Sequence, residues 1–269
     1  MQFSLNHMVA PRLAHPAFFD LTKRLDVSHV EIRNDLQGVA LHDGTPASDV
    51  GAAAAERGLE ILSINALQRF NVWNAARAAE AASLIGQAAA AGAKALVLCP
   101  VNDTAYSPGP TERRAALIQA LEGLKPLLEA AGVLGLVEPL GFAECSLRFK
   151  QEAVEAIEAS GGGGRFKLVH DTFHHFVAGE TKLFPEHTGL VHISGVTDPA
   201  QTAATMRDPH RVLVDADDRI DNVGQLRALI AGGYRGPISF EPFAASVHES
   251  KTIESDLQAS LEYVRARLR

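Results

Sequence analysis

The chain has 269 residues, 46% of them hydrophobic and 21% charged, with a formal net charge of -7. The acidic balance argues against nucleic acid, which is bound by clustered Lys and Arg that displace counterions, and favours a small-molecule partner. Its two cysteines, Cys99 and Cys145, lie in no CxxC pair and build no disulfide framework, and no stretch reaches the apolar length of a membrane span.

The N-terminal MQFSLNHMVAPR enters an apolar run directly. It lacks the basic segment, apolar segment and small-residue cleavage site of an export signal, so a cytoplasmic protein is expected. FSLN, closing at Asn6, is the first of eight short apolar runs. HVEIR follows to Arg33, LEILSIN to Asn65, ALVLCP to Pro100, LGLVEP with Glu138, FKLVHD with Asp171, GLVHIS with His192 and PISFEP with Glu241. Continuous leucine-rich and β-branched runs separated by alanine-rich helical stretches are the pattern of a parallel sheet covered by helices. Eight such units predict a closed (β/α)8 barrel, a TIM barrel of the α/β class. At about 250 residues for such a barrel, residues 1–269 make a single domain.

Helix stops recur before the strands, at Gly58, Gly92, Gly132 and the Gly232–Gly233 pair, because glycine takes the left-handed cap without a Cβ penalty. Asn74 is placed to cap an alanine-rich helix running to about Ala91, and Asp221 or Asn222 to cap the helix before the last strand. Three loops follow strands and so belong to the active face: Asn102 to Pro110, Leu140 to Arg148, and Ser194 to Arg219. Long loops of this kind often serve as lids or binding loops. The Gly161 to Gly164 run precedes a strand, which puts it on the opposite face as a flexible connection.

Catalytic groups of such barrels sit at the C-terminal strand ends, so Glu138, Asp171, His192 and Glu241 from successive strands should converge. Oxygen ligands with one imidazole suit one divalent ion, Mn, Zn, Co or Mg. An unpaired cluster of carboxylates there would repel itself strongly. Glu138 and Glu241 both precede proline, which holds them extended at the strand mouth. His174 lies about one helical turn beyond Asp171 and can face the same pocket to hydrogen-bond a substrate oxygen, or be structural; His170 and His175 are expected to be structural. Arg211, in the loop after His192, is within reach of a substrate hydroxyl or carbonyl. Glu31 and Arg33 alternate along one strand and face the barrel mouth together, either for substrate or as an internal ion pair. Asn65 and Asn6 offer neutral hydrogen bonds to substrate or to loop backbone. His7, His15, His29, His42, His187, His210 and His248 have no usable partner spacing.

With VEIR, SINALQRFN, LVEPLGFAECSLRFKQEAVEAI, VHDTFHHF, VHIS, DPHRVLVDADDRID and ISFEPF on the page, the chain resembles the xylose-isomerase-like barrel superfamily nearly end to end. Within it the likeness is greatest to the inosose isomerases of myo-inositol catabolism. The resemblance implies one divalent metal held by Glu138, Asp171, His192 and Glu241, with His174 and Arg211 contacting substrate. HISGV after the ligand histidine, and Val-Leu-Val-Asp-Ala-Asp-Asp after the arginine, depart from the family's acidic residues and Pro-Gly-x-Gly loop. The expectation is a metal-dependent isomerase or epimerase of a keto-polyol, with Glu138 and Glu241 moving a proton through an enediolate. Arg33 and Asn65 are further candidate substrate contacts. The alternatives are a dehydratase on the same scaffold and a non-catalytic sugar-binding barrel.

Overall fold

In the computed structural model, which describes residues 1–36, 41 and 43–268, every one of the apolar runs forms a strand. His42 lies outside the described residues. The strands are β1 (Gln2–Asn6), β2 (His29–Arg33), β3 (Glu60–Gln68), β4 (Ala95–Cys99), β5 (Leu134–Val137), β6 (Phe166–Asp171), β7 (Thr188–Ile193) and β8 (Pro237–Phe240). They pair in sequence order, all parallel, and β1 closes on β8 through Phe3 opposite Ile238. The helices are α1 (His15–Arg24), α2 (Ala47–Glu56), α3 (Ala75–Ala90), α4 (Pro110–Ala131), α5 (Lys150–Ala159), α6 (Thr172–Ala178), α7 (Asn222–Ala231), α8 (Ala245–His248) and α9 (Ile253–Arg267). No described helix is long and apolar enough to cross a membrane.

Strand side chains alternate between two buried environments, which explains why the runs look uniformly apolar in places. Leu5, Val30, Ile32, Ile64, Leu96 and Leu98 face the helices in the main core. Ala95, Val97, Cys99, Leu136, Val169 and Leu190 form a separate apolar cluster inside the barrel. By the same alternation, the inward positions of β1, β2, β3 and β8 are Ser4 and Asn6, Glu31 and Arg33, Ser63 and Asn65, and Ser239 and Glu241, all buried. Chemistry-bearing side chains therefore crown an interior that is apolar on one side only.

Local devices set the ends of these units. Asn74 caps α3 by accepting from the Arg77 amide. Asp221, not Asn222, caps α7, accepting from Gly224 N with its own backbone left-handed at φ 56°. Asn222 is instead buried and ties α7 to the long loop, donating to the Ser194 carbonyl at 2.8 Å. Gly132 ends α4 at φ 69°, as a left-handed cap requires. The Gly161–Gly164 run forms a closed turn, with Gly162 N donating to Ile157 O at 2.9 Å and Arg165 N to Gly162 O at 2.8 Å.

The loop from Ser194 to Arg219 is anchored. Gly195 and Val212 exchange a pair of backbone hydrogen bonds at 2.8 Å, and the Asp218 carboxylate accepts from the amides of Val196 and Asn222. Beneath it, Val196, Met206 and Ile220 pack with Phe142, Phe173 and Val177 in a third apolar cluster. Bonding and burial on this scale fix the loop to the barrel top rather than leave it free to swing.

Candidate metal centre

Asp171 is both the last residue of β6 and the N-cap of α6. Its Oδ1 accepts from the amides of Phe173 and His174 at 2.7 and 3.0 Å, which fixes the carboxylate and leaves Oδ2 facing the barrel axis. Glu138 and Glu241 directly follow β5 and β8, and His192 sits one residue before the end of β7. Ligand atoms from Glu138, Asp171, His192 and Glu241 all lie within 4.8 Å of one another, and the four residues are buried. Their chemistry fits a divalent ion: anionic oxygens with one ring nitrogen, converging where water is largely excluded.

Other groups hold this charge together. The Arg211 Nη2 donates to Asp171 Oδ2 at 2.6 Å and to Glu241 Oε2 at 3.1 Å, while its Nε and Nη1 reach Ser194 Oγ and Asp208 Oδ1 at 2.9 and 3.2 Å. Arg33 donates to Glu241 Oε1 at 2.9 Å and grips Asp35 with its other nitrogens at 2.7 and 2.8 Å. Phe243 lies under both guanidinium groups, 4.5 Å from Arg211 and 5.6 Å from Arg33. The His192 Nδ1 is 3.0 Å from Glu138 Oε1 and 3.2 Å from Glu241 Oε2. Burial favours the neutral imidazole, but Glu241, Glu31 and Glu138 together outweigh it and push its pKa well up. Burial likewise opposes ionisation of Glu241, yet His192 first and Arg211 next hold its pKa down to about 2.

Glu31 and Arg33 share the barrel interior, as their alternation implies, but they do not form an ion pair with each other. Glu31 sits deeper and bonds to the far side of His192, with Nε2 3.1 Å from Oε1. Asn65 donates to Glu31 at 2.9 Å and to Ser63 at 2.8 Å, and Asn6 donates to Glu241 at 3.2 Å. His174 packs edge-on between Phe142 and Phe173, with ring centroids at 5.1 and 5.3 Å. Gly141 makes that packing possible, since a Cβ there would come 2.0 Å from the His174 carbonyl oxygen. His170 and His175 point elsewhere, to Gln225 at 3.0 Å and to the buried Lys150 at 2.6 Å.

A cavity of about 360 Å³ opens above the cluster. Arg33, Asn65, Glu138, His174, Arg211 and Glu241 all line it. The family model for xylose isomerase-like TIM barrels matches residues 19–267. The chain belongs to that family. Among solved structures, a xylose isomerase domain-containing protein from Salmonella typhimurium LT2 is 34% identical, with 99% of this chain and 97% of that one covered at a TM-score of 0.89. The zinc-bound IolI protein is 20% identical, covering 100% of this chain and 98% of that one at a TM-score of 0.88. A D-psicose 3-epimerase from Clostridium cellulolyticum H10, solved with D-tagatose, is 16% identical, with both chains covered in full and a TM-score of 0.77. These last two likenesses concern the fold. No curated protein sequence matches the chain.

Several residues of this family member's site escape strand-end reading. Asp35, Asp208 and Phe243 lie on loops whose course only the fold defines. On β4 Cys99 lines the cavity together with the Pro100 that closes the apolar run, and its Sγ lies 3.5 Å from Glu138 Oε2. Burial, helped by the Glu138 charge, pushes the Cys99 thiol far up, so it stays protonated as a weak donor. Its signal was visible in ALVLC, where it shares inward parity with Ala95 and Val97.

Proposed function

We propose that this protein is a divalent-metal-dependent isomerase or epimerase acting on a keto-polyol, of the inosose or related ketose type. The observation that carries the reading is the convergence of Glu138, Asp171, His192 and Glu241 ligand atoms within 4.8 Å beneath a polar cavity. An ion bound there supplies positive charge that stabilises the negative charge developing on substrate oxygen when an α-carbon loses its proton. Glu138 and Glu241 lie on β5 and β8 sides of the cavity floor, so one carboxylate accepts the α-proton and the other returns a proton. His174 and Arg211 orient substrate oxygens from α6 and the long loop, with Arg33 and Asn65 lining the opposite wall. Arg211 has a particular latitude. Its guanidinium balances two of the carboxylates, Asp171 and Glu241, and an ion held by those carboxylates would share their charge and leave Arg211 donors for the substrate.

Substrate deuterated at the α-carbon tests the proton route. Isomerisation should exchange the label with solvent or pass it to the neighbouring carbon, and full retention at the original carbon rules the route out. Water loss with a new ultraviolet absorption assigns a dehydratase instead. Glu138→Gln and Glu241→Gln should each lower turnover by about 100- to 10,000-fold while substrate binding falls less, with metal content measured in parallel.

A further inference from the structure

We propose that Glu31 is the positioning residue of the metal centre: it holds the Nε2–H of His192 so that Nδ1 is the nitrogen presented to the ion. The assignment rests on the metal reading given above and adds a residue from the opposite side of the barrel. His192 is wholly buried on β7, and its ring has a carboxylate at each nitrogen. Nδ1 faces Glu138 and Glu241 at 3.0 and 3.2 Å, among the converging ligand atoms. Nε2 faces Glu31 Oε1 and Oε2 at 3.1 and 3.2 Å, a ring's width away from that convergence. Carboxylates flank both nitrogens, but only Nδ1 lies at the convergence: an ion there would take the Nδ1 lone pair, and the hydrogen would stay on Nε2 facing Glu31, whose ionised carboxylate only accepts. The same partner increases the basicity of the ligand nitrogen and fixes the ring plane.

Glu31 is itself built into place. It is wholly buried, and Ser63 Oγ donates to Oε2 at 2.6 Å, Asn65 Nδ2 to Oε2 at 2.9 Å and Asn6 Nδ2 to Oε1 at 3.4 Å. Asn6, Asn65 and the His192 Nε2–H can only donate to it, so an amide in place of the carboxylate would set its NH2 against donors on at least one side. Burying a charge at the floor of an enzyme cavity is costly unless it is paired and hydrogen-bonded. Asn65, which lines the cavity wall, thereby also couples the substrate side of β3 to the orientation of His192.

Zn2+ titration against a chromophoric chelator, on the full chain and on Glu31→Gln, tests the role without any turnover assay. The variant should bind Zn2+ about 10- to 100-fold more weakly, the usual cost of losing a group that orients a metal-binding histidine. Far-ultraviolet circular dichroism of the metal-free variant should remain that of the parent. A folded Glu31→Gln chain with parental Zn2+ affinity overturns the positioning role and leaves the metal centre standing. A parent chain that binds no Zn2+ overturns the metal centre and the assignment with it. If the variant does not fold, the parent chain decides alone: loaded with 113Cd and labelled with 15N-histidine, it should show cadmium coupling to Nδ1 and a protonated Nε2. Coupling to Nε2 overturns the proposal.

Discussion

Two residues before each inward strand-end group, one side of the barrel carries Val97, Leu136, Val169 and Leu190, and the other carries Ser239, Ser4, Glu31 and Ser63. The apolar side underlies the ends of β4–β7, where three of the candidate ligands are, and the polar side underlies β8 and β1–β3. Apolar packing beneath Glu138, Asp171 and His192 keeps water from the underside of the carboxylates, so their attraction for a cation is little screened. The polar side does different work: it supplies the hydrogen bonds that hold Glu31, and through it the far nitrogen of His192. Three candidate ligands on one side, and Glu241 with the supports on the other, form a site that neither half of the barrel holds alone.

Arg211→Met probes the charges that both sides share. Breaking a buried ion pair from one partner should cost the metal-free chain about 3–5 kcal/mol, because Asp171 and Glu241 lose the same guanidinium. Saturating Zn2+ should recover much of this in a urea melt, since the ion neutralises the same carboxylates. No recovery in a chain that binds Zn2+ would separate the role of Arg211 from charge balance.

Leu136→Ala probes the apolar side. It should cost about 3 kcal/mol from lost burial and the cavity left behind, read by urea unfolding. Zn2+ affinity should change far less than in Glu31→Gln, and an equal loss in both would erase the distinction between the two sides.

Acid sensitivity should belong to the polar side. Burial, and then the neighbouring His15, lowers His7 from 6.5 to about 3, and burial lowers His15 from 6.5 to about 4. Both are neutral in the folded chain and take up protons more readily when it unfolds. Their contribution is therefore complete above about pH 6.5 and is lost as the pH falls from there towards 4. Between pH 7 and 5, His15 alone should account for about 2 kcal/mol. His15→Phe, which keeps the stacking on Phe19, should flatten the pH dependence of the urea midpoint. Parallel curves for parent and variant would place the acid sensitivity elsewhere.

Ser63→Ala should give the smallest effect, about 1.5 kcal/mol at the low end for one hydrogen bond to a charged acceptor, with a modest loss of Zn2+ affinity. An affinity loss as large as that of Glu31→Gln would mean that Ser63, rather than the carboxylate itself, governs the His192 ring.

The barrel was legible because its units repeat. Each apolar run ended at a polar residue or a proline, and glycines at 58, 92, 132 and 232–233 stopped the helices before four of the strands, so strand number and direction followed from periodicity. Glu138, Asp171, His192 and Glu241 were legible as neighbours because parallel strands in sequence order bring their C-terminal ends to one rim. Glu31 was only half legible. Its parity with Arg33 places both inside, but which acid meets which base depends on depth along tilted strands: Arg33 reaches Glu241 at the rim, and Glu31 passes beneath to His192. The Ser194–Arg219 segment suggested a lid from its length, while its fixed course depends on Asp218, on the Gly195–Val212 pairing and on apolar contacts with residues far away in sequence.

By itself the sequence determined the (β/α)8 topology, the shared inward parity of Glu31 and Arg33 and the four residues that meet at the candidate metal centre. Those follow from local periodicity and from the rule that parallel strands share an end. Only the tertiary structure decided that Arg211 bridges Asp171 and Glu241, that the Cys99 thiol lies against Glu138, and that Glu31 reaches across from β2 to the ring of His192 on β7. These contacts join residues separated by as many as 161 positions. They are set by barrel closure, strand tilt and loop packing, none of which leaves a trace in the spacing of residues along the chain.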